Sequence, residues 1–240
     1  MRLQIVENYE ELSRVGAELI ATAVRENPRA ALVVATGNTP MGVYRELAAL
    51  RGREGLDTSQ IRVFQLDAYL GIEPNDRRSL YGWMKRSFLD PLEIPEEHVV
   101  RLPGVSAEPE EICRAYDAAV NDSGGIDLSI LGLGPNGHLA FNEPPTSPDA
   151  PTRVVDLSEE SIASNAAYWG GRDQVPRRAL TAGMTVLLAA RQTLLLVSGA
   201  HKREILHRTV DGPVTPEVPA SYLQHAANVT VLADRAAWAD

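Results

Sequence analysis

The chain repeats one pattern: a short apolar run, a turn, and a longer segment whose apolar residues recur every three or four positions. Short apolar runs are typical of strands buried on both faces of a parallel sheet, whereas the longer spacing indicates helices with one apolar face. We therefore predict an α/β fold, a single-domain, Rossmann-like, mostly parallel sheet flanked by helices on both faces. The predicted strands lie at residues 3–6, 30–35, 61–66, 99–102, 126–131, 193–197 and 229–232.

Helix start signals follow several of these strands. Asn8 fits an N-cap with Glu11 at the capping-box position, which predicts a helix to about residue 25. Thr39 fits a second N-cap, because Pro40 follows at the first helical position. Residues 152–157 are compatible with a strand, and Ser158 begins a segment of mixed character. Further helices are predicted over residues 79–89, 109–120, 181–190 and 219–223, and directly after Gly199.

Composition is that of an ordinary soluble globular protein. The 240 residues suit one domain spanning residues 1–240, and the net charge of −9 argues against nucleic-acid binding, which needs a basic face. We interpret the basic residues Arg77, Arg78, Lys85 and Arg86 as a solvated helix face. Cys113 is the only cysteine, so no internal disulfide can form, and no apolar run approaches membrane-spanning length. We expect a cytoplasmic protein that binds neither membrane nor nucleic acid.

The loop after residues 126–131 carries the densest candidate chemistry. In an open α/β sheet, ligands bind outside the carboxyl ends of the strands, where this loop must lie. Its glycines allow backbone N–H groups to approach a ligand closely, because they have no Cβ. An imidazole between amide and carboxylate side chains on such a loop favours a functional role over ordinary loop residues. The residues concerned are Gly132, Gly134, Gly137, Asn136, His138 and Glu143.

Three other strand ends carry candidate groups. Asp67 follows residues 61–66, where it either acts on a ligand or caps a loop. Thr36, Gly37, Asn38 and Thr39 precede a helix, and this arrangement suits either an anion at the helix N-terminus or a plain turn. Lys202 follows residues 193–197 at the start of another helix, and it either adds a cation to an anion site or is solvated.

Taken together, five segments resemble the glucosamine-6-phosphate deaminase (isomerising) family, within a wider group that includes the 6-phosphogluconolactonases. The resemblance occurs in family order and spans nearly the whole chain, so it is much more specific than any one motif. The segments are residues 35–44, 66–71, 134–144, 174–181 and 198–202.

The resemblance implies a hydrolase/isomerase that converts a hexosamine 6-phosphate, with glucosamine 6-phosphate giving fructose 6-phosphate and ammonia. It assigns Asp67 as the base that moves a proton between C2 and C1, and His138 as the group that opens the pyranose ring. Asn136 and Glu143 would support His138. Phosphate binding would fall to Thr36, Gly37, Asn38, Thr39 and Lys202, with Gly137 also contacting the substrate. No metal or redox cofactor is implied.

Three departures from the family pattern leave alternatives open. Asn136 stands where most members have Asp, Ala68 where many have Glu, and Ala166 where a phosphate-binding Arg is usual. A galactosamine-6-phosphate deaminase, a 6-phosphogluconolactonase and a non-catalytic sugar-phosphate sensor are therefore alternative functions. The lactonases normally continue past the histidine into a different sequence from Phe141–Pro144, and the sensors carry a helix-turn-helix before this domain. Oligomeric state, monomer or homo-oligomer, is left undecided.

Overall fold

A computed structural model describes residues 1–239. Its strands are β1 (Arg2–Val6), β2 (Ala31–Val34), β3 (Arg62–Gln65), β4 (Asp67–Tyr69), β5 (Val99–Val100), β6 (Leu128–Gly132), β7 (Arg153–Asp156), β8 (Arg178–Thr181), β9 (Gln192–Val197) and β10 (Val229–Asp234). Its α-helices are α1 (Tyr9–Glu26), α2 (Asn38–Glu54), α3 (Leu80–Met84), α4 (Pro109–Asp122), α5 (Glu159–Trp169), α6 (Met184–Leu188), α7 (Arg203–Val210) and α8 (Arg235–Trp238).

Seven strands form one parallel sheet in the order β1-β10-β9-β6-β2-β3-β5. The central strands are buried on both faces, so neighbouring residues contribute to different cores. Ile130 belongs to the core under α1 and α2, whereas Leu131 belongs to the core on the opposite face. The predicted α/β fold, a mostly parallel sheet covered by helices on both faces, is therefore confirmed.

A second, antiparallel sheet of order β4-β8-β7 lies beside the first, and the sequence predicted only its β7 strand. Asp67 is not the end of β3 but the first residue of β4, where it pairs with Thr181. The helix predicted over residues 181–190 is correspondingly wrong at its start, because α6 begins only at Met184. Pairing between segments so distant in sequence leaves no local pattern to detect.

Helix α5 falls in the segment whose sequence had mixed character. Ser158 caps it by accepting a hydrogen bond from Ser161 N at 3.1 Å, and Glu159 and Glu160 occupy its first turn. The helix covers a small separate core in which Trp169 meets Tyr69 edge to face, with ring centroids 5.2 Å apart. Its stability therefore depends on contacts with β4 rather than on a strong helical pattern of its own.

Candidate active site

A cleft of about 440 Å³ opens at the carboxyl edge of the parallel sheet, where β2, β3, β6 and β9 end. It brings together most of the residues that the sequence singled out, although they come from four separate strand ends. Those that line it are Thr36, Gly37, Asn38, Thr39, Asp67, His138 and Lys202. The remaining predicted residues, Asn136, Gly137 and Glu143, do not line the cleft and belong to the loop around His138.

Asp67 is a buried carboxyl group in the wall of the cleft, with 8% of its surface exposed. Burial raises its pKa to about 7, because the ionised form loses hydration there. Gln65 fixes the backbone at this point: its Nε2 donates to Asp67 O at 2.8 Å, and its Oε1 accepts from Leu102 N at 3.1 Å. Asp67 is therefore a carboxylate of unusual basicity on a rigid support.

The position of His138 is fixed by a tight loop, and the glycines of this loop allow its close turns. Gly134 N donates to His138 O at 3.0 Å, and His138 N donates to Asn136 Oδ1 at 3.2 Å. A Cβ on Gly134 would lie 2.2 Å from His138 Cδ2, so the imidazole packs directly on the backbone of that glycine. Gly137 has a φ of +86° and faces Val218, which makes it a turn residue rather than part of the cleft surface.

The imidazole of His138 is neutral in these surroundings. Burial lowers its pKa, the positive charge of Lys202 lowers it further, and the carboxylate of Glu143 partly opposes both effects. Its Nδ1 is buried and makes no hydrogen bond within residues 1–239. A neutral imidazole carries one N–H and one lone pair, so it can both accept and return a proton.

Glu143 connects the histidine loop to α5. Both oxygens of its carboxylate accept from the backbone N–H of Ser158, at 3.2 and 3.3 Å. Ser158 is the N-cap of α5, and that helix contributes Ser164, Asn165 and Tyr168 to the cleft. Glu143 thus acts on His138 through charge while it anchors the helix that covers one side of the site.

The N-terminal turn of α2 forms another part of the cleft wall, where the first N–H groups of the helix have no partner within the helix. Gly37 has a φ of +119°, which lets the chain turn so sharply that α2 begins at Asn38. The predicted N-cap at Thr39 is therefore wrong, since Gly37 occupies that position and Thr39 already belongs to the first turn. The Tyr9 hydroxyl supports this turn by donating to Asn38 O and accepting from Gly42 N at 2.9 Å.

Lys202 supplies a cation to the same cleft. It lies in a short 3₁₀ turn, Ala200–Lys202, that leads into α7, and burial lowers its pKa. Gly199 holds the start of this turn in place, because its N–H donates to Asp234 Oδ1 at 3.0 Å. The half-buried ammonium group of Lys202 and the N-terminus of α2 line the same cleft, and both features favour a small anion.

Sequence reasoning missed several cleft residues. These are Leu80, Trp83, Ser164, Asn165, Tyr168 and His201. Most of them come from α3 and α5, which are not strand ends, so the rule that located the other residues does not reach them. His201 was detectable, because it precedes Lys202 in the same turn.

The fold and the cleft define a class: an α/β protein with a buried carboxyl group, an imidazole and an ammonium group in one cleft at the carboxyl edge of a parallel sheet. No helix within residues 1–239 is long and apolar enough to cross a membrane, and no cluster of three metal-ligating side chains occurs in that range.

Comparison with known proteins specifies the family. The pattern that describes glucosamine-6-phosphate isomerases and 6-phosphogluconolactonases matches residues 7–232. The chain is 40% identical to the glucosamine-6-phosphate deaminase of Halothermothrix orenii, over 99% of this chain and 98% of that protein. It is 36% identical to the deaminase of Clostridium acetobutylicum, again over 99% and 98% of the two chains. The chain therefore belongs to the glucosamine-6-phosphate isomerase/6-phosphogluconolactonase family.

Solved structures agree with this assignment. A monomeric glucosamine-6-phosphate deaminase superposes with a TM-score of 0.96 at 37% identity, covering 99% of this chain and 98% of that one. The 6-phosphogluconolactonase of Trypanosoma brucei superposes with a TM-score of 0.79 at 18% identity, covering 98% and 97%. The second likeness concerns the fold alone.

Proposed function

We propose that this chain is an enzyme that isomerises and deaminates a hexosamine 6-phosphate, converting glucosamine 6-phosphate and water into fructose 6-phosphate and ammonia. The observation that carries the proposal is that one cleft contains a carboxyl group whose pKa is raised to about 7, a neutral imidazole, the ammonium group of Lys202 and the N-terminus of α2. The names of its full-length relatives point to the same reaction.

The phosphate of the substrate would bind at the start of α2. Backbone N–H groups of residues 37–39 and the hydroxyls of Thr36 and Thr39 can donate to its oxygens, and Lys202 adds a positive charge. Anchoring the phosphate at this end leaves the sugar ring to extend toward Asp67 and His138, which line the same cleft.

Ring opening is the role we assign to His138. The neutral imidazole accepts the proton of the anomeric hydroxyl and returns a proton to the ring oxygen O5, as the C1–O5 bond breaks and an aldehyde forms at C1. Glu143 stabilises the transient imidazolium, since its charge raises the pKa of His138. Asn136 positions the loop through its hydrogen bond with the His138 backbone rather than through charge.

Proton transfer between carbons is the role we assign to Asp67. Its carboxylate removes the proton from C2, the electron pair forms a C1=C2 enolamine, and the aldehyde oxygen takes up the proton that the substrate's C2 ammonium group releases. The carboxyl group of Asp67 then gives the proton it took from C2 to C1, which leaves a protonated imine at C2 and restores the carboxylate. Burial raises the basicity of Asp67 for this purpose, and general acid–base catalysis of this kind typically supplies about 10²–10⁴-fold in rate.

Deamination completes the sequence. Water adds to C2 of the imine, and the C2–N bond then breaks to release ammonia and leave the ketone of fructose 6-phosphate. This step consumes one water molecule and is the hydrolytic part of the proposal. C1 is reduced while C2 is oxidised, so the sequence balances without an external electron carrier or a metal.

We also propose that the enzyme acts in the cytoplasm, where a phosphorylated sugar would be its substrate.

Two assays test this function. Purified protein should release equimolar ammonia and fructose 6-phosphate from glucosamine 6-phosphate. Galactosamine 6-phosphate, offered in parallel, should give tagatose 6-phosphate more slowly if the gluco epimer is preferred. Release of acid from 6-phosphogluconolactone, with no ammonia from either hexosamine phosphate, would establish the lactonase alternative instead. Binding of these sugars without turnover would favour a sensor.

A further inference from the structure

A second cavity of about 400 Å³ is lined by residues of α5 and of the segment 77–87, next to the active-site cleft. The two spaces share a wall, which consists of Tyr69, Leu80, Trp83, Asn165 and Tyr168. The second cavity also has residues that the cleft lacks, above all Arg77, Arg78 and Arg86. No aspartate or glutamate lines it, although the whole chain has a net charge of −9. It is therefore a locally basic compartment.

The three guanidinium groups are not equivalent. Arg78 already has partners: its Nε and Nη2 donate to the Asp76 carboxylate at 3.0 and 2.7 Å, and it stacks 4.7 Å from the Trp169 ring centre. Lys85, in the π-helical turn that follows α3, is likewise paired, with Asp90 and Glu96. Arg77 and Arg86, by contrast, have no carboxylate within 4.0 Å among residues 1–239. Two guanidinium groups are thus left available to an external anion.

Arg86 is held in place for such a role. Its Nη2 donates to the backbone carbonyl of Arg77 at 2.8 Å. Its Nη1 lies beside Gly82, where an added Cβ would approach within 3.0 Å, so the glycine leaves room for the guanidinium against the helix. A positioned guanidinium loses less side-chain freedom on binding than a free one. The prediction of a solvated face is met, because Arg77, Arg78 and Arg86 are exposed. Arg77 and Arg86 are in addition a pair of guanidinium groups that have no ion-pair partner within residues 1–239 and that a ligand can reach.

Aromatic side chains line the same cavity as Arg77 and Arg86. Trp83 and Tyr168 meet with ring centroids 5.3 Å apart, and Tyr168 is 41% exposed, unusually so for a large apolar side chain here. Arg groups bind phosphate oxygens with two parallel hydrogen bonds, whereas Tyr and Trp offer an apolar face together with a polar edge. A ligand that satisfies both must combine a phosphate with a ring that has an apolar face.

We propose that this compartment binds a phosphorylated sugar as a second ligand, with its phosphate at Arg77 and Arg86 and its ring against Tyr168. The site is separate from the substrate site, because neither arginine lines the cleft. It is also adjacent, because Asn165 and Tyr168 face both ligands, so occupancy of one site alters the surroundings of the other. The proposal does not depend on the reaction catalysed in the cleft.

Binding stoichiometry tests the proposal. Isothermal titration with fructose 6-phosphate should give two equivalents per chain for the wild type and one for the R77A/R86A double variant. The R45A/R53A double variant is the matched control, because it removes two exposed arginines of α2 and should retain both equivalents. A single equivalent in the wild type, or two equivalents in R77A/R86A, would overturn the proposal.

Two further measurements test the arginine contact and the ring contact separately. The single variant Arg77→Ala removes a side chain that makes no hydrogen bond in the described structure, so folding is not at risk, and it should weaken the second equivalent about tenfold or more. Inorganic phosphate and fructose serve as separate probes of the two parts of the ligand. Both should bind the second site more weakly than fructose 6-phosphate; equal affinity of inorganic phosphate would refute the ring contact with Tyr168. Ammonia release, assayed separately, shows whether each variant still turns over substrate in the cleft.

Discussion

The imidazole of His138 rests on the backbone of Gly134, at a distance that leaves no space for a Cβ. Because a Cβ there would lie 2.2 Å from Cδ2, Gly134→Ala must displace the ring from its place in the cleft. A displacement of about 1 Å can cost about 100-fold in rate, so kcat/KM should fall by that order while the fold is kept.

The control for Gly134→Ala is Gly52→Ala in α2, where an added Cβ meets no atom within 4 Å. That variant should keep full activity. The comparison is made by steady-state kinetics, with circular dichroism to verify folding. Undiminished activity of Gly134→Ala would mean that the ring position seen here is unimportant.

Asp67→Asn should lower kcat by about 10²–10⁴-fold while substrate affinity changes only a few fold, because the carboxylate acts in proton transfer rather than in holding the ground state. Single-turnover kinetics together with a binding titration separate the two effects. Asp149→Asn, at an exposed loop position, is the control. An Asp67→Asn enzyme with most of its activity would rule out Asp67 as the base.

The same variant should be more stable than the wild type at neutral and higher pH. Burial raises the folded-state pKa of Asp67 from 3.8 to about 7, so the wild type has to ionise a group that the fold prefers protonated. The stability advantage of Asp67→Asn should grow as pH rises from about 4 to about 7 and then level off, reaching on the order of 4 kcal/mol. Urea unfolding at several pH values measures it. A pH-independent difference would contradict the raised pKa.

Lys202→Gln should raise KM for the hexosamine 6-phosphate by about 10–100-fold with a smaller effect on kcat, because a hydrogen bond from a charged group contributes about 1.5–3 kcal/mol. It should also raise the pKa of His138, since Lys202 depresses it. Lys85→Gln removes a lysine that pairs with Asp90 and Glu96 outside the cleft, and KM should stay unchanged. Initial rates across substrate concentrations decide between these outcomes.

Asn136→Asp should shift the His138-linked limb of the pH–rate profile upward. A carboxylate at this position would favour the imidazolium, and a nearby charge typically moves a pKa by about one to three units. The present Asn136 side chain contacts the His138 backbone, which leaves Glu143 as the acidic group acting on the ring. Profiles of kcat/KM measured on both hexosamine 6-phosphates test this effect. Superimposable profiles with an altered epimer preference would assign Asn136 to substrate choice.

Sequence alone determined the parallel sheet and the location of its active edge. Buried strands such as residues 126–131 and 193–197 are mostly apolar, interrupted only by Asp127 and Ser129 in the first and Thr193 in the second, and this local pattern can be recognised without tertiary context. Because all parallel strands end at one edge, the sequence alone predicts that Asp67, His138 and Lys202 meet in one cleft.

Tertiary structure decided what lies around that edge. Strands β4 and β8 are more than a hundred residues apart in sequence, so no local pattern predicts that they pair. Helix α5 is held in place by the contact between Trp169 and Tyr69, and its own sequence has no strong helical pattern. The basicity of Asp67 likewise arises because surrounding elements bury its carboxyl group. Arg77 and Arg86 have no carboxylate partner within residues 1–239, since the nearby Asp76 pairs with Arg78. Such properties depend on which side chains meet, and spacing along one chain does not carry that information.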